Sequence, residues 1–533
     1  MQRTSNQDGN CSPAKGRSYS LRLLFQASTA QKLMSTTLNH HGPACQAADI
    51  QHAFGSSSGH LHARYNVGHL TSTITFTQWL LAIAAVAAAA AGLLSQSLTS
   101  AVIIVIVISA ISLFLTGLAT YNTVRSGLIG QAAMLGALWI IFFMEAIPSA
   151  LSNPSFSAPQ YFHFGATQFD AEVVHRALLH LCLFQLMLLV GFAIPNDRYR
   201  FGRWFTYRID IVYGRLMLQV LLGACILLSF GSTYLWDWGH LFRALLGSYG
   251  TRFGQDATLS ADQPFLAYLF PLGLYGAAIL FVEGLQTRGV RRYVAGAVAT
   301  IATLIVVLSG TRHTLLVILV PVSAVILRRS YKRLRVSRIL VWASAILMLF
   351  CITQVQVATR NVGWEAATSL VPNQALNTEA TGQFPALLLS ESLVPARHDF
   401  FLEPTPLYFI THWIPRRFWP GKPVEKVFQY YNNEVTGGDP VWNVTPSVIG
   451  QFYMNCGVIG LCAIGCFLGM VCRITDHIFA RLTLYEHQSA AVCVATLYVF
   501  VINSLRYFAV FYLVYSVMAL IGMIILTRGV RSR

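Results

Sequence analysis

The densest run of chemically capable residues is Trp413-Ile414-Pro415-Arg416-Arg417-Phe418-Trp419-Pro420-Gly421-Lys422-Pro423. Its prolines and glycine restrict the backbone to a few turn conformations. Arg416, Arg417 and Lys422 are set between or beside two tryptophans. An arginine fork donates bidentately to phosphate oxygens, and a lysine adds a compact point charge. Tryptophan favours the membrane–water boundary, and its flat face packs on flat partners such as sugar rings. A stiff, cationic, aromatic segment of this kind suits a pyrophosphate headgroup that carries sugars. It equally suits simple anchoring at anionic lipid headgroups.

Other cations could join it. Arg312 sits in Ser309-Gly310-Thr311-Arg312-His313, a short polar break between two apolar runs, and Arg176, Arg360, Arg397 and Arg506 flank further apolar runs. An arginine at membrane depth is costly and normally has a partner, so each could instead pair with an acid such as Asp170, Glu172 or Glu391. Candidates for a general base are His398, Asp399, Glu391, Glu403 and His412, and spacing alone does not choose among them. From Ser447 to Gly460 runs a stretch containing Gln451, Tyr453 and Asn455, which opens an apolar helix that Ser447 could cap. Gly457, Gly460, Gly465 and Gly469 mark a small-residue face for close helix packing. There is no CxxC, HExxH or DxD pattern to hold a metal, and no glycine-rich phosphate loop opens a strand–helix unit. The ten cysteines fall mostly in apolar stretches and read as small packing residues.

The elements that must position these residues are dictated by composition. The chain has 533 residues, 55% hydrophobic and 11% charged, with mean hydropathy +0.55. A soluble domain carries about 25% charged residues, so the expected solvent is lipid. Apolar runs near the roughly 20 residues of a spanning helix occur at 79–95, 101–119, 127–147, 173–194, 212–235, 265–284, 293–310, 313–327, 338–355, 448–472, 490–505 and 508–527. The fold class expected is an all-α polytopic membrane protein of about twelve transmembrane helices. The net charge of +16 first suggests nucleic acid. With a cytoplasmic N-terminus, however, most of the Lys and Arg fall in inner segments, while the outer loop 148–172 has none. This positive-inside pattern accounts for the basic balance without nucleic acid and puts both termini in the cytoplasm.

Four regions follow: a polar, disordered cytoplasmic tail at 1–77, a first membrane bundle of helices 1–9 at 78–355, one large, partly helical outer loop at 356–447 with helix expected around 383–402, and the last three membrane helices with a short cytoplasmic end at 448–533. A loop so long is usually functional or disordered. Its tryptophans and mixed charges argue for folding. The same topology brings Arg312, Arg360, Arg397, Arg506 and the 413–423 segment to the outer side.

The run Ile414-Pro415-Arg416 through Trp419-Pro420 and Lys422-Pro423, the Ser/Gly/Tyr/Asn/Gly stretch to Gly460, and Ser309-Gly310-Thr311-Arg312 resemble bacterial oligosaccharide repeat-unit polymerases of the Wzy-like O-antigen and exopolysaccharide type. The layout of many helices with a large outer loop before the last few is similar too. Gln451 departs from a carboxylate common in that family, and Cys456 interrupts a stretch that is often aromatic. The resemblance implies a metal-independent membrane glycosyltransferase that needs no cofactor and sits in the bacterial cytoplasmic membrane. Its partners would be undecaprenyl-pyrophosphate-linked glycan donor and acceptor, membrane lipid and a chain-length regulator. By motif match, Arg416, Arg312 and Lys422 would hold the pyrophosphate, and Arg417, Arg360, Arg397 and Arg506 would assist. Trp413 and Trp419 would bound the sugar path, Tyr453 and Asn455 would contact substrate, and His412 is a catalytic candidate. Two alternatives stay open: an O-antigen ligase that transfers the glycan to a lipid A core, and a polysaccharide transporter or flippase.

Overall fold

The computed structural model of the chain describes residues 80, 83–91, 103, 107, 111, 129–143, 156–157, 168–194, 222–224, 226–227, 270–286, 288–308, 312–330, 383–403, 408, 418–421, 425–436, 445–484 and 488–506. All lie in the unit Thr71–Arg533. They are helical apart from turns, short extended stretches and one minimal antiparallel pair, Phe156–Ser157 with Gln168–Phe169. The helices are α1 (Ile129–Leu138, running into a π-helical turn Trp139–Phe143), α2 (Ala171–Ala193), α3 (Phe270–Gln286), α4 (Val290–Leu308), α5 (Arg312–Ser330), α6 (Gln383–Leu393), α7 (Lys426–Thr436), α8 (Val448–Leu484) and α9 (Gln488–Arg506).

Among the described residues, two helices are long and apolar enough to cross a membrane, Glu172–Ala193 and Val448–Ala480. The expected helices at 127–147, 173–194, 265–284, 293–310, 313–327, 448–472 and 490–505 each have a counterpart. The expected break at Ser309-Gly310-Thr311 lies outside the described residues, and Pro321 lies within α5. Most residues of the other five expected spans, and all of the tail at 1–77, lie outside the described residues.

The longest helix, α8, belongs to both cores. Its first half packs with α1, α2, α6 and α7. Its second half, through Ile478, Phe479 and Leu482, packs with α3, α4, α5 and α9. It crosses α2 backbone against backbone. A Cβ built on Gly191 would lie 2.2 Å from the Cys466 carbonyl oxygen, and one on Gly469 would lie 2.2 Å from that of Leu188. Small residues permit such an approach, and the dispersion contact of the two backbones replaces the hydrophobic drive that lipid removes.

α8 also runs past 472, where Arg473 breaks the apolar pattern. The extension places the buried Asp476 carboxylate against the start of α1. It accepts the Gly130 N–H at 2.7 Å, the Gln131 N–H at 3.3 Å and the Tyr498 hydroxyl at 2.7 Å. A carboxylate from α8 is thereby tied to the first described turn of α1.

The opposite of burial is seen on α4. Val290, Tyr293, Val294, Ile301 and Leu304 are exposed, Val290 at 77% and Ile301 at 59%. Their spacing puts them along one helical face. A contiguous apolar face of this kind marks contact with another apolar phase.

Gly469→Leu is expected to destabilise the protein by about 1–3 kcal/mol through overpacking at the α2–α8 crossing. Gly296→Ala, where an added Cβ meets nothing within 4 Å, should instead stabilise by up to about 1 kcal/mol through helix propensity. Thermal unfolding of both variants in detergent tests the contrast.

Candidate functional site

The site is built around an irregularity in α8. Cys456 (φ −135°, ψ 15°) and Gly457 (φ 62°, ψ −148°) leave helical geometry. Glycine reaches this positive φ without the steric penalty of a Cβ. The kink interrupts the helix ladder, and a non-helical strip of chain, in which Leu402 takes φ 53°, fills it. Phe401 N–H donates to the Met454 carbonyl at 3.2 Å and Leu402 N–H to that of Asn455 at 2.9 Å. The Phe400 ring covers Gly457, where a Cβ would meet it at 3.3 Å.

This strip delivers Glu403 to Asn455. The Glu403 N–H donates to Asn455 Oδ1 at 2.5 Å, and Asn455 Nδ2 donates to the Glu403 carbonyl at 2.9 Å. The Glu403 carboxylate then accepts the Lys426 N–H at 3.0 Å, the Val427 N–H at 3.4 Å and the Tyr408 hydroxyl at 3.0 Å. It thus caps α7 at its positive end. Burial, and then the bonded Glu403 carboxylate, push the Tyr408 phenol up, so it stays a donor through the neutral range. One helical turn before Asn455, Gln451 Nε2 donates to Glu425 Oε1. The segment 404–424 contains the whole proline–arginine–tryptophan run. Both its flanking residues, Glu403 and Glu425, are therefore fastened to α8, by Asn455 and Gln451. Ser447 caps α8 as expected, accepting the Gly450 N–H at 3.0 Å.

Beside the clamp lies an ionic cluster. Glu391 on α6 is 0% exposed. Its Oε2 accepts Arg176 Nε at 3.0 Å, its carbonyl accepts Arg176 Nη2 at 3.2 Å, and its Oε1 meets His180 Nδ1. A buried carboxylate needs such partners, because its desolvation is otherwise uncompensated. Arg176 and His180 lie one turn apart on α2. The Arg176 side chain is 31% exposed, and its Nη1 stands 3.8 Å from the exposed Glu172. Glu391 therefore fixes a guanidinium whose outer edge reaches solvent, near the first residue of the spanning stretch Glu172–Ala193. The His180 ring is 4.9 Å from that of Tyr453, which meets Phe400 edge-on at 6.0 Å. Tyr453 thus joins the cluster to the kink.

Of the expected site residues, Tyr453 and Asn455 are buried within this assembly. Asn455 works as a clamp through its side-chain amide. Trp419 is 38% exposed, next to the more exposed Phe418. Arg397 is exposed in the turn after α6, where its N–H closes on the Leu393 carbonyl at 2.8 Å. Arg506 is exposed at the end of α9 and Arg312 begins α5. Arg416, Arg417, Lys422, His412, Trp413 and Arg360 lie outside the described residues. His398 stacks on Phe401 at 4.2 Å and leans on Tyr430 at 4.9 Å. Both glutamates considered as bases, Glu391 and Glu403, are taken up by donors of the protein itself. Sequence reading missed His180. Its signal was a polar pair, Arg176 and His180, four residues apart in a mostly apolar helix. No group of three or more His, Cys, Asp or Glu that could hold a metal occurs among the described residues.

Comparison of the chain with protein-family models, curated proteins and solved structures finds no match. The functional reading therefore depends on these residues and on the motif resemblance.

Glu391→Ala would leave Arg176 without its buried partner, and an expected loss of about 3 kcal/mol follows for a broken pair of this kind. Thermal unfolding in detergent reads it. Asn455→Ala removes the clamp at Glu403. Tryptic cleavage after Arg416 or Arg417 should then quicken about fivefold, the equivalent of one net hydrogen bond. A rate equal to wild type would mean the clamp does not restrain the segment.

Proposed function

We propose that the protein is a membrane glycosyltransferase that polymerises undecaprenyl-pyrophosphate-linked oligosaccharide repeat units into O-antigen or exopolysaccharide. It would work at the outer face of the bacterial cytoplasmic membrane, with about twelve spans, both termini inside, and 356–447 as its outer loop. The acceptor hydroxyl of a new lipid-linked repeat unit attacks the anomeric carbon of the growing glycan. The bond to undecaprenyl pyrophosphate breaks, and charge collects on the departing pyrophosphate. Cations placed where that charge develops supply the stabilisation. Arg416, Lys422 and Arg312 take this role, with Arg417, Arg360, Arg397 and Arg506 around them and Trp413 and Trp419 along the sugar.

The observation that carries this reading is the double fastening of 404–424 to α8. Gln451 and Asn455 hold the ends of a segment rich in arginine, lysine and tryptophan at the first turns of a helix apolar enough to span a membrane. A lipid-linked pyrophosphate requires cations at such a boundary, held so that they need not reorganise as the bond breaks. The engagement of Glu391 and Glu403 by protein donors fits a reaction driven from the leaving group.

A deletion strain rescued with wild type or Arg416→Ala tests the reading through its glycan ladder. Deletion should leave single repeat units on lipid, and wild type should restore the ladder. Arg416→Ala, at equal protein level, should reduce polymer by about 100-fold, the scale for losing one donor to developing charge. Full ladders on undecaprenyl pyrophosphate with none on the final acceptor would identify a ligase instead.

A further inference from the structure

A second feature lies in the α3–α4 hairpin, remote in sequence from the outer loop. The two helices meet through a tight turn in which Gly289 takes φ +71° and its carbonyl accepts the Arg292 N–H at 3.1 Å. Gly284 brings the helices together, since a Cβ there would stand 3.2 Å from the Ala295 Cβ. Gly296 does the reverse: a Cβ there would meet nothing within 4 Å. What remains is a groove of about 290 Å³ walled by Phe281, Leu285, Tyr293 and Ala297, with Arg292 at its rim. That volume is near the lower end of the roughly 300–1,000 Å³ of small-molecule pockets. It has room for part of an extended hydrocarbon chain.

Arg292 lines the groove, and Arg288 and Arg291 lie within four residues of it at the same turn. Arg288, Arg291 and Arg292 are all exposed, and among the described residues none of them forms an ion pair. The groove continues onto the apolar exposed face of α4. A cation lining an apolar slot, with two more cations at the same turn, complements one chemistry: an anionic headgroup joined to a hydrocarbon tail. A basic pocket between membrane helices on the inner side is the expected form of such a site. The positive-inside pattern puts this turn on that side.

We propose that the α3–α4 hairpin binds an anionic phospholipid, with the phosphate on Arg292, Arg291 and Arg288 and one acyl chain in the groove left open by Gly296. The site is independent of the polymerase reading and would hold whatever the outer loop does.

The test uses the full-length protein in nanodiscs of equal phosphatidylglycerol and phosphatidylcholine, released and analysed by native mass spectrometry. Wild type should retain phosphatidylglycerol in preference to phosphatidylcholine. Arg292→Ala should lower the retained phosphatidylglycerol about fivefold, the scale for one surface cation near anionic lipid. Arg292→Lys should keep most of it. Gly296→Leu fills the groove without changing charge and should lower retention as much as Arg292→Ala. Size-exclusion elution identical to wild type verifies that each variant is folded. Equal retention of the two lipids by wild type would overturn the site. So would wild-type retention by Gly296→Leu, because the cations would then act only as a diffuse surface charge.

Discussion

The site depends on one break in one helix. Gly457 takes a positive φ, and the ladder of α8 is interrupted just beyond its second turn. The carbonyls of Met454 and Asn455 would otherwise serve the next helical turn. At the kink they accept the amides of Phe401 and Leu402 instead. A backbone acceptor buried without a partner costs on the order of the hydrogen bond it lacks, so kink and strip are stable only together. With 401–403 pinned in this register, the Glu403 amide and carbonyl both reach the Asn455 side chain. The Glu403 carboxylate is then free to cap α7. The position of Glu403, where the cationic segment is entered, thus traces back through Asn455 to a glycine.

The rest of α8 supports this arrangement by being long. A helix rises about 1.5 Å per residue, so the 37 residues of Val448–Leu484 cover both cores. One end carries Gln451, Tyr453 and Asn455. The middle meets α2 at Gly191, Gly465 and Gly469, and the far end presents Asp476 to the start of α1. The α2–α8 crossing is rigid because backbones, and not flexible side chains, are in contact. It therefore sets the height of Arg176 and His180 on α2 relative to Tyr453 on α8.

Parts of this were legible in the sequence for clear reasons. Apolar runs bounded by arginine, glycine or proline locate α2, α3, α4, α5 and α9 to within a few residues, because lipid-facing and core-facing positions are both apolar and leave an unbroken signal. Ser447 as a cap and Gly465 and Gly469 as a packing face were equally readable, since each works through its own residue type. α7 was missed, although Val427, Tyr431 and Val435 repeat every four residues and are buried. Its polar composition hid it inside a loop. The continuation of α8 beyond 472 was missed because Arg473 and Asp476 look like an ending. Asp476 has partners on α1 and α9 that no local pattern reveals. Asn455 read as a substrate contact because its clamp partner lies 52 residues away.

The Glu391 cluster shows why charge type alone does not assign a role. As a loop carboxylate, Glu391 reads as a possible base. Once α6 buries it completely, its charge is tolerable only because Arg176 and His180 are both bonded to it. Each oxygen already has a partner, so proton abstraction would first have to break a bond the fold relies on. What the cluster offers instead is orientation: Arg176 is held at Nε and Nη2, and its Nη1 stands 3.8 Å from the exposed Glu172. An exposed arginine would lose side-chain entropy each time it met an anion. One already fixed by a buried carboxylate has lost most of it on folding. The negative charge of Glu391 weakens the attraction of Arg176 for an anion, but it removes the need to reorganise. The buried acid therefore acts in the fold by holding Arg176 and His180 of α2 against α6.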